Sequence, residues 1–206
     1  ETEPDNALWR DRLATSVLKL GDVQRDQGDS AGALAAYEQS LSLVQESVAA
    51  DPRNGQALEF EANAYLQIGA LHKLQGNSDK ALAAYEAAHG IAAKAAATDP
   101  SNEEMQATLA RSHRLIGEIQ QAGKQLPEAQ ASFQASLDIA EKLAASSPDN
   151  AQRQFDLASA YDAMGSILYD QADAISRQRY VENGGQEAVA AYDAAIAIQR
   201  RLIEAD

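Results

Sequence analysis

Apolar residues recur along this chain at intervals of three and four. In "NGQALEFEANAYLQIGALHKLQG" (54–76), Phe60, Ala64, Ile68, Leu71 and Leu74 mark one face, the period of an amphipathic helix. Polar turns interrupt such runs, and the interruptions keep a fixed beat. Pro4, Pro52, Pro100 and Pro148 lie 48 residues apart, and Asn6, Asn54, Asn102 and Asn150 follow them at a constant distance. Proline continues a helix poorly and asparagine caps one well, so "DPRN" and its counterparts end one helix and begin the next. The pattern predicts eight antiparallel helices over 6–27, 30–50, 54–76, 79–98, 102–123, 127–146, 150–182 and 186–205. Ser30 and Ser78 are the expected caps of second helices, and Pro127 suits a first helical position.

Other residues fall on the same comb. Gly21, Gly69, Gly117 and Gly165 each follow Leu20, Ile68, Ile116 or Met164, and further on come Ala33, Ala81 and Ala129, then Tyr37, Tyr85 and Phe133, then Ser40, Ala88 and Ser136. The fourth unit keeps this order in Ala188, Tyr192 and Ala195, displaced by eleven residues, which marks an insertion at about 173–185. A glycine inside a helix costs about 1 kcal/mol relative to alanine, so four at equivalent places need a packing reason. Close approach of the paired helix supplies it: glycine is expected to face a small alanine, with the ring beside them.

These residues resemble the tetratricopeptide repeat family. The resemblance is carried by the L/I/M-G steps at 20–21, 68–69, 116–117 and 164–165, by Gly28 and Gly76 at the inter-helix turn, by "ALAAYEQS", "ALAAYEAA", "AQASFQAS" and "AVAAYDAA", and by the closing proline. It implies an all-α, right-handed superhelical solenoid of antiparallel helix pairs. One repeat domain over 1–206 is expected, in units of about 4–51, 52–99, 100–147 and 148–206. The family's usual unit has about 34 residues; here about seven are added on each side of the motif, so both helices are two turns longer. That is similar to the long-helix repeats of bacterial multidomain proteins, where they adjoin kinase, NTPase or caspase-like modules. Both chain ends fall at unit boundaries, which reads as a segment of a longer protein or array.

Composition agrees with helices: 44 residues are alanine and aromatics are only 5%. With no cysteine, disulfides, thiolate nucleophiles and cysteine-held metals are excluded, and the compartment is left open. The net charge of −14 disfavours nucleic acid and anionic lipid as partners. No apolar run is long enough to insert in a membrane, which predicts a soluble chain.

Candidate chemistry is sparse. His72, His89 and His113 lack metal-binding spacing and read as packing residues. The glycines form no phosphate loop and no serine stands in a nucleophile elbow, so an enzyme is not expected, nor a cofactor. The resemblance instead implies a non-catalytic scaffold or regulatory module that takes a protein or peptide in a groove lined by first helices. Its ladders would be Thr15/Asn63/Arg111/Ser159, Leu18/Leu66/Arg114/Asp162, Asp22/Ala70/Glu118/Ser166, Arg25/Lys73/Gln121/Tyr169 and Asp26/Leu74/Ala122/Asp170. Among them Leu66, Ala70 and Leu74 would form an apolar strip beside Arg111 and Arg114, with Lys73, Arg25 and Tyr169 at another level. The plain alternative is that these charges satisfy one another, Arg114 with Asp162 or Glu118 and Arg25 with Asp22. The clamp by which some family members hold a partner's C-terminal carboxylates is absent, since Leu18, Asp22, Gln67, Arg111 and Leu115 occupy its places. The insertion offers a second surface through Arg177, Arg179 and Tyr180. Self-association through the ends of the array, at Trp9, Leu13, Ile196, Leu202 and Ile203, is the rival role, and a regulatory arm of an attached signalling enzyme another.

Overall fold

The computed structural model describes residues 4–174 and 185–205, and every element in them is a helix. These are α1 (Pro4–Asp26), α2 (Ser30–Ala50), α3 (Gly55–Leu74), α4 (Ser78–Thr98), α5 (Glu103–Ala122), α6 (Leu126–Ser146), α7 (Ala151–Ala174) and α8 (Gly185–Ala205). The eight runs read from apolar spacing therefore correspond to eight helices. The stretch 175–182, expected to prolong α7, lies outside the described residues, as do Arg177, Arg179 and Tyr180.

The 48-residue turn is a capping device with three parts. Asp51 and Asp99 each accept the backbone N–H two residues on, from Arg53 and Ser101 at 3.0 Å, and Asp99 also accepts the Ser101 hydroxyl. Those bonds from Ser101 hold the Asp99 carboxyl below its ordinary value. The asparagine N–H then closes the turn on Asp51, Asp99 or Ser147 oxygen. Its side chain caps the next helix: Asn54 accepts from Ala57, Asn102 from Met105, and Asn150 from Gln152 and Arg153.

The other turn joins the two helices of a pair. Gly28 closes back on Arg25 and Asp29 on Gln24; Gly76 and Asn77 repeat this on Lys73 and His72, and Lys124 and Gln125 on Gln121 and Gln120. This is a Schellman motif, whose first residue takes a left-handed conformation. Gly28, Gly76 and Lys124 accordingly have φ of 82°, 75° and 61°. Because the motif uses two residues before the next helix, the caps are Asp29, which accepts the Gly32 N–H, and Asn77 and Gln125. Ser30 and Ser78 are instead the first helical residues, and Pro127 is the second.

Packing divides the chain into two compact units, 1–108 and 109–206. In the first, α1 packs on α2, α2 on α3 and α3 on α4, with a lighter α1–α3 contact. Its core joins Ala33 and Tyr37 of α2 to Ile68 and Leu71 of α3 and Ala84 of α4, and Val44 to Ala14 and Ala57. In the second, α6 packs on α7 and α7 on α8, around Phe133, Leu137, Ala160, Met164 and Ile167.

The comb glycines meet the rings themselves, not alanine. A Cβ on Gly21 would fall 2.6 Å from the Tyr37 ring, one on Gly69 2.5 Å from Tyr85, and one on Gly117 2.6 Å from Phe133. Glycine is thus what lets a ring lie flat on the helix backbone opposite. Ser40 adds a buried tie, donating to the Ala14 carbonyl of α1 at 2.8 Å.

Candidate functional site

First-helix side chains that differ from unit to unit are the candidate site. In the first unit they lie on α1 and α3. Arg25 sits at the end of α1, where its Nη1 donates to Asp22 and, across to α3, to Gln67 Oε1 at 3.1 Å. Asp22 also accepts the Tyr37 hydroxyl at 2.8 Å. Burial and that bond to an anion both push the Tyr37 phenol up, so it stays a neutral donor. Arg25 is therefore held within its own unit, as the ion-pairing alternative anticipated for Arg25 with Asp22.

The expected apolar strip is not one surface. Leu66 is buried at 2% exposure, Ala70 is half-buried, and only Leu74, at 74%, stands in solvent beside the exposed Lys73. Leu18 packs partly against the Tyr37 core, and Asn63 is half-buried. The spacing places Leu66 on the right stripe but cannot reveal how deep the stripe lies.

In the second unit α5 and α7 are tied side by side: Gln121 donates to Ser166 Oγ at 2.9 Å and to Asp170 Oδ2 at 2.8 Å. Arg114 pairs with Glu118 one turn on, while Asp162 accepts from Gln199 of α8 and not from Arg114. Arg111 is exposed and Tyr169 is half in solvent.

One exposed residue on this face escaped the sequence reading. Phe155 lies on α7 at 55% exposure, on the same stripe as Ser159, Asp162, Ser166 and Tyr169. Its comb counterparts are Asp11, Glu59 and Ala107, so nothing repeated draws attention to it; the usable signal was the single aromatic replacing polar or small residues. Phe155 and Tyr169 stand fourteen residues apart, about 21 Å along the axis.

Among the described residues no group of His, Asp and Glu is arranged to hold a metal ion, and no helix is long and apolar enough to cross a membrane. The three histidines are half-buried on α3, α4 and α5.

Comparison with known proteins bears on the fold. Residues 62–94 match the family model described as tetratricopeptide repeat, spanning Gly69, Gly76, Ala81, Tyr85 and Ala88 and leaving out 52–61 and 95–99 of that unit. No curated protein matches the chain. Among solved structures, BtubC (BKLC) from P. vanneervenii is similar at a TM-score of 0.52 and 16% identity, over 94% of this chain and 82% of that one. A Podosopora anserina kinesin light chain with nearly identical TPR-like repeats gives 0.45 and 18%, over 93% and 97%. MamA gives 0.34 and 16%, over 89% and 96%. The first shows a shared helical-repeat fold and no more; the other two carry no argument.

Proposed function

We propose, from the premise that this chain is a tetratricopeptide-repeat protein, that it is a non-catalytic scaffold holding a protein or peptide against its first-helix faces. The observation that carries this is the pair of exposed aromatics on one stripe of α7, Phe155 and Tyr169, where the other first helices offer small or polar residues. Exposed aromatics at a face otherwise knitted by polar ties suit anchoring of apolar side chains. Arg111, next to them on α5, adds a cation at the rim. In the first unit Lys73 and Leu74 present a smaller patch of the same mixed kind, with Arg25, Leu18, Asn63, Leu66 and Ala70 forming its base.

The partner segment would carry two apolar anchors about 21 Å apart, roughly six residues of extended chain or fourteen of helix. Panning a random peptide library on the immobilised chain, then titrating recovered peptides by fluorescence polarisation, tests this. Recovered sequences are expected to show that spacing and to bind Phe155→Ala or Tyr169→Ala about tenfold more weakly. Peptides that bind both variants as well as the parent would overturn the assignment to this face.

A further inference from the structure

We propose that this chain associates head to tail with further copies of itself, α1 of one copy seating on α8 of the next. The inference goes beyond the peptide-binding reading and does not depend on it, because it uses different faces. Eleven large apolar side chains are exposed among the described residues, and their positions are not scattered. Four lie on one stripe of α1, Trp9, Leu13, Leu20 and Val23, and four on one stripe of α8, Val189, Tyr192, Ile196 and Ile203.

The chain already contains the interface that would cover them, and contains it twice. Leu20 and Val23 correspond, 48 residues on, to Ile68 and Leu71 of α3, which pack on Tyr37 of α2 with Leu34 and Leu41 alongside. They correspond, 144 residues on, to Met164 and Ile167 of α7, which pack with Phe133 and Leu137 of α6. Tyr192 and Ile196 are the α8 counterparts of Tyr37 and Leu41, and of Phe133 and Leu137. Within each unit, then, a second helix receives the next first helix through these positions. α8 carries the receiving half and α1 the seated half, both in solvent.

The template also fixes polarity. First-helix and second-helix faces differ, so neither α1 on α1 nor α8 on α8 would reproduce it; the contact is heterologous and leaves one free face of each kind on the product. Charge does not oppose it. α1 has four acidic and four basic residues, and α8 three acidic and two basic, so little of the chain's net charge of −14 falls on the helices that would meet. Trp9, the single tryptophan, lies with Arg12 over its ring at 5.3 Å. Its counterpart Ala57 packs beside Val44 and Val48, and Val48 corresponds to Ile203; Trp9 would therefore move from water to a site beside Ile203 of a second copy.

Sedimentation of the chain over a wide concentration range, with tryptophan emission read on the same samples, tests the proposal. The parent is expected to grow past a dimer as concentration rises, with a blue shift from Trp9. Leu20→Glu and Ile196→Glu should each remain monomeric, and an equimolar mixture should form dimer and stop there, because each variant keeps the half that the other lacks. Far-UV helicity verifies that each is folded, and Val23→Lys with Ile203→Lys repeats the logic at a second pair of exposed positions. A parent that stays monomeric, a single variant that still self-associates, or a mixture that fails to dimerise would each overturn head-to-tail stacking.

Discussion

Three helix pairs bury their comb ring and one does not. Tyr37, Tyr85 and Phe133 are at most 1% exposed, with the facing glycine so close that a Cβ would stand 2.5 to 2.6 Å from the ring. Tyr192 is 36% exposed, and a Cβ on Gly165 would stand 3.0 Å away. The residues are the same and the partner glycine is the same. What differs is the far side of the ring: Tyr37 and Phe133 are backed by the next first helix of their unit, and Tyr192 meets solvent there. A repeat thus supplies only half of the environment of its own signature residue, and its neighbour supplies the rest.

Removing the rings tests this most severely. Phe133→Ala should cost about 3–5 kcal/mol, the range for emptying a buried aromatic site, while Tyr192→Ala, already partly hydrated, should cost less than half as much. Chemical denaturation followed by helical circular dichroism measures both; equal losses would mean that the neighbouring helix contributes little. The glycines test the same difference with a smaller effect. Gly69→Ala forces a methyl into the Tyr85 ring and should lose roughly 2 kcal/mol, overpacking outweighing the gain of about 1 kcal/mol in helix propensity. At Gly165 the exposed ring can move aside, so Gly165→Ala should stay within about 0.5 kcal/mol of the parent, the propensity gain offsetting the contact.

The contrast also explains what the sequence reveals and what it hides. Comb prolines and asparagines locate the turns because capping is local chemistry, complete within four or five residues. Apolar spacing likewise locates α1 to α8, since it depends only on which face turns inward. Depth does not follow from spacing: Leu66 and Leu74 share a stripe, yet one is buried and the other stands in water. The glycine contact was assigned to alanine because a small residue opposite a small residue is the simplest fit, whereas the structure lays a ring on the bare backbone. Ser30 and Ser78 looked like caps since serine caps well in isolation, but the Schellman turn spends two residues and puts Asp29 and Asn77 there first. Phe155 was missed for the opposite reason: a search for repetition passes over a residue that occurs once.

A gentler comparison sets one rung of the first unit against its copy in the second. Gln45 of α2 donates to the Tyr65 hydroxyl at 3.1 Å; at the same comb positions Tyr161 of α7 donates to Glu141 of α6 at 2.7 Å. The bond to a carboxylate, with burial second, pushes the Tyr161 phenol up to about 12. A raised folded-state value means that the neutral form is favoured by folding. Its contribution is complete below the ordinary value near 10 and is lost as pH climbs toward 12. Glu141 is exposed, so the effect should be at most about 1 kcal/mol. Stability measured from pH 9 to 12 should fall less steeply in Glu141→Gln, which turns the second rung into a copy of the first; unchanged steepness would remove Tyr161 as a contributor.

The smallest effect distinguishes three copies of one turn. Gly28 and Gly76 adopt positive φ at no steric cost, but the third copy puts Lys124 there at 61°. Its glycine is one place early, at Gly123, which the hydrogen bonds of Gly123, Lys124 and Gln125 leave as the last capping residue before the left-handed position. A side chain held in that region costs about 1 kcal/mol or more, and part of the relief on replacing it is returned as the extra chain entropy that glycine loses on folding. Lys124→Gly should therefore stabilise by about 0.5 kcal/mol, seen as a small rise in denaturation midpoint at unchanged slope. The same substitution tried in reverse, Gly76→Lys, should lower the midpoint by a similar amount, since nothing lies within 4 Å of a Cβ there and conformation alone decides the cost.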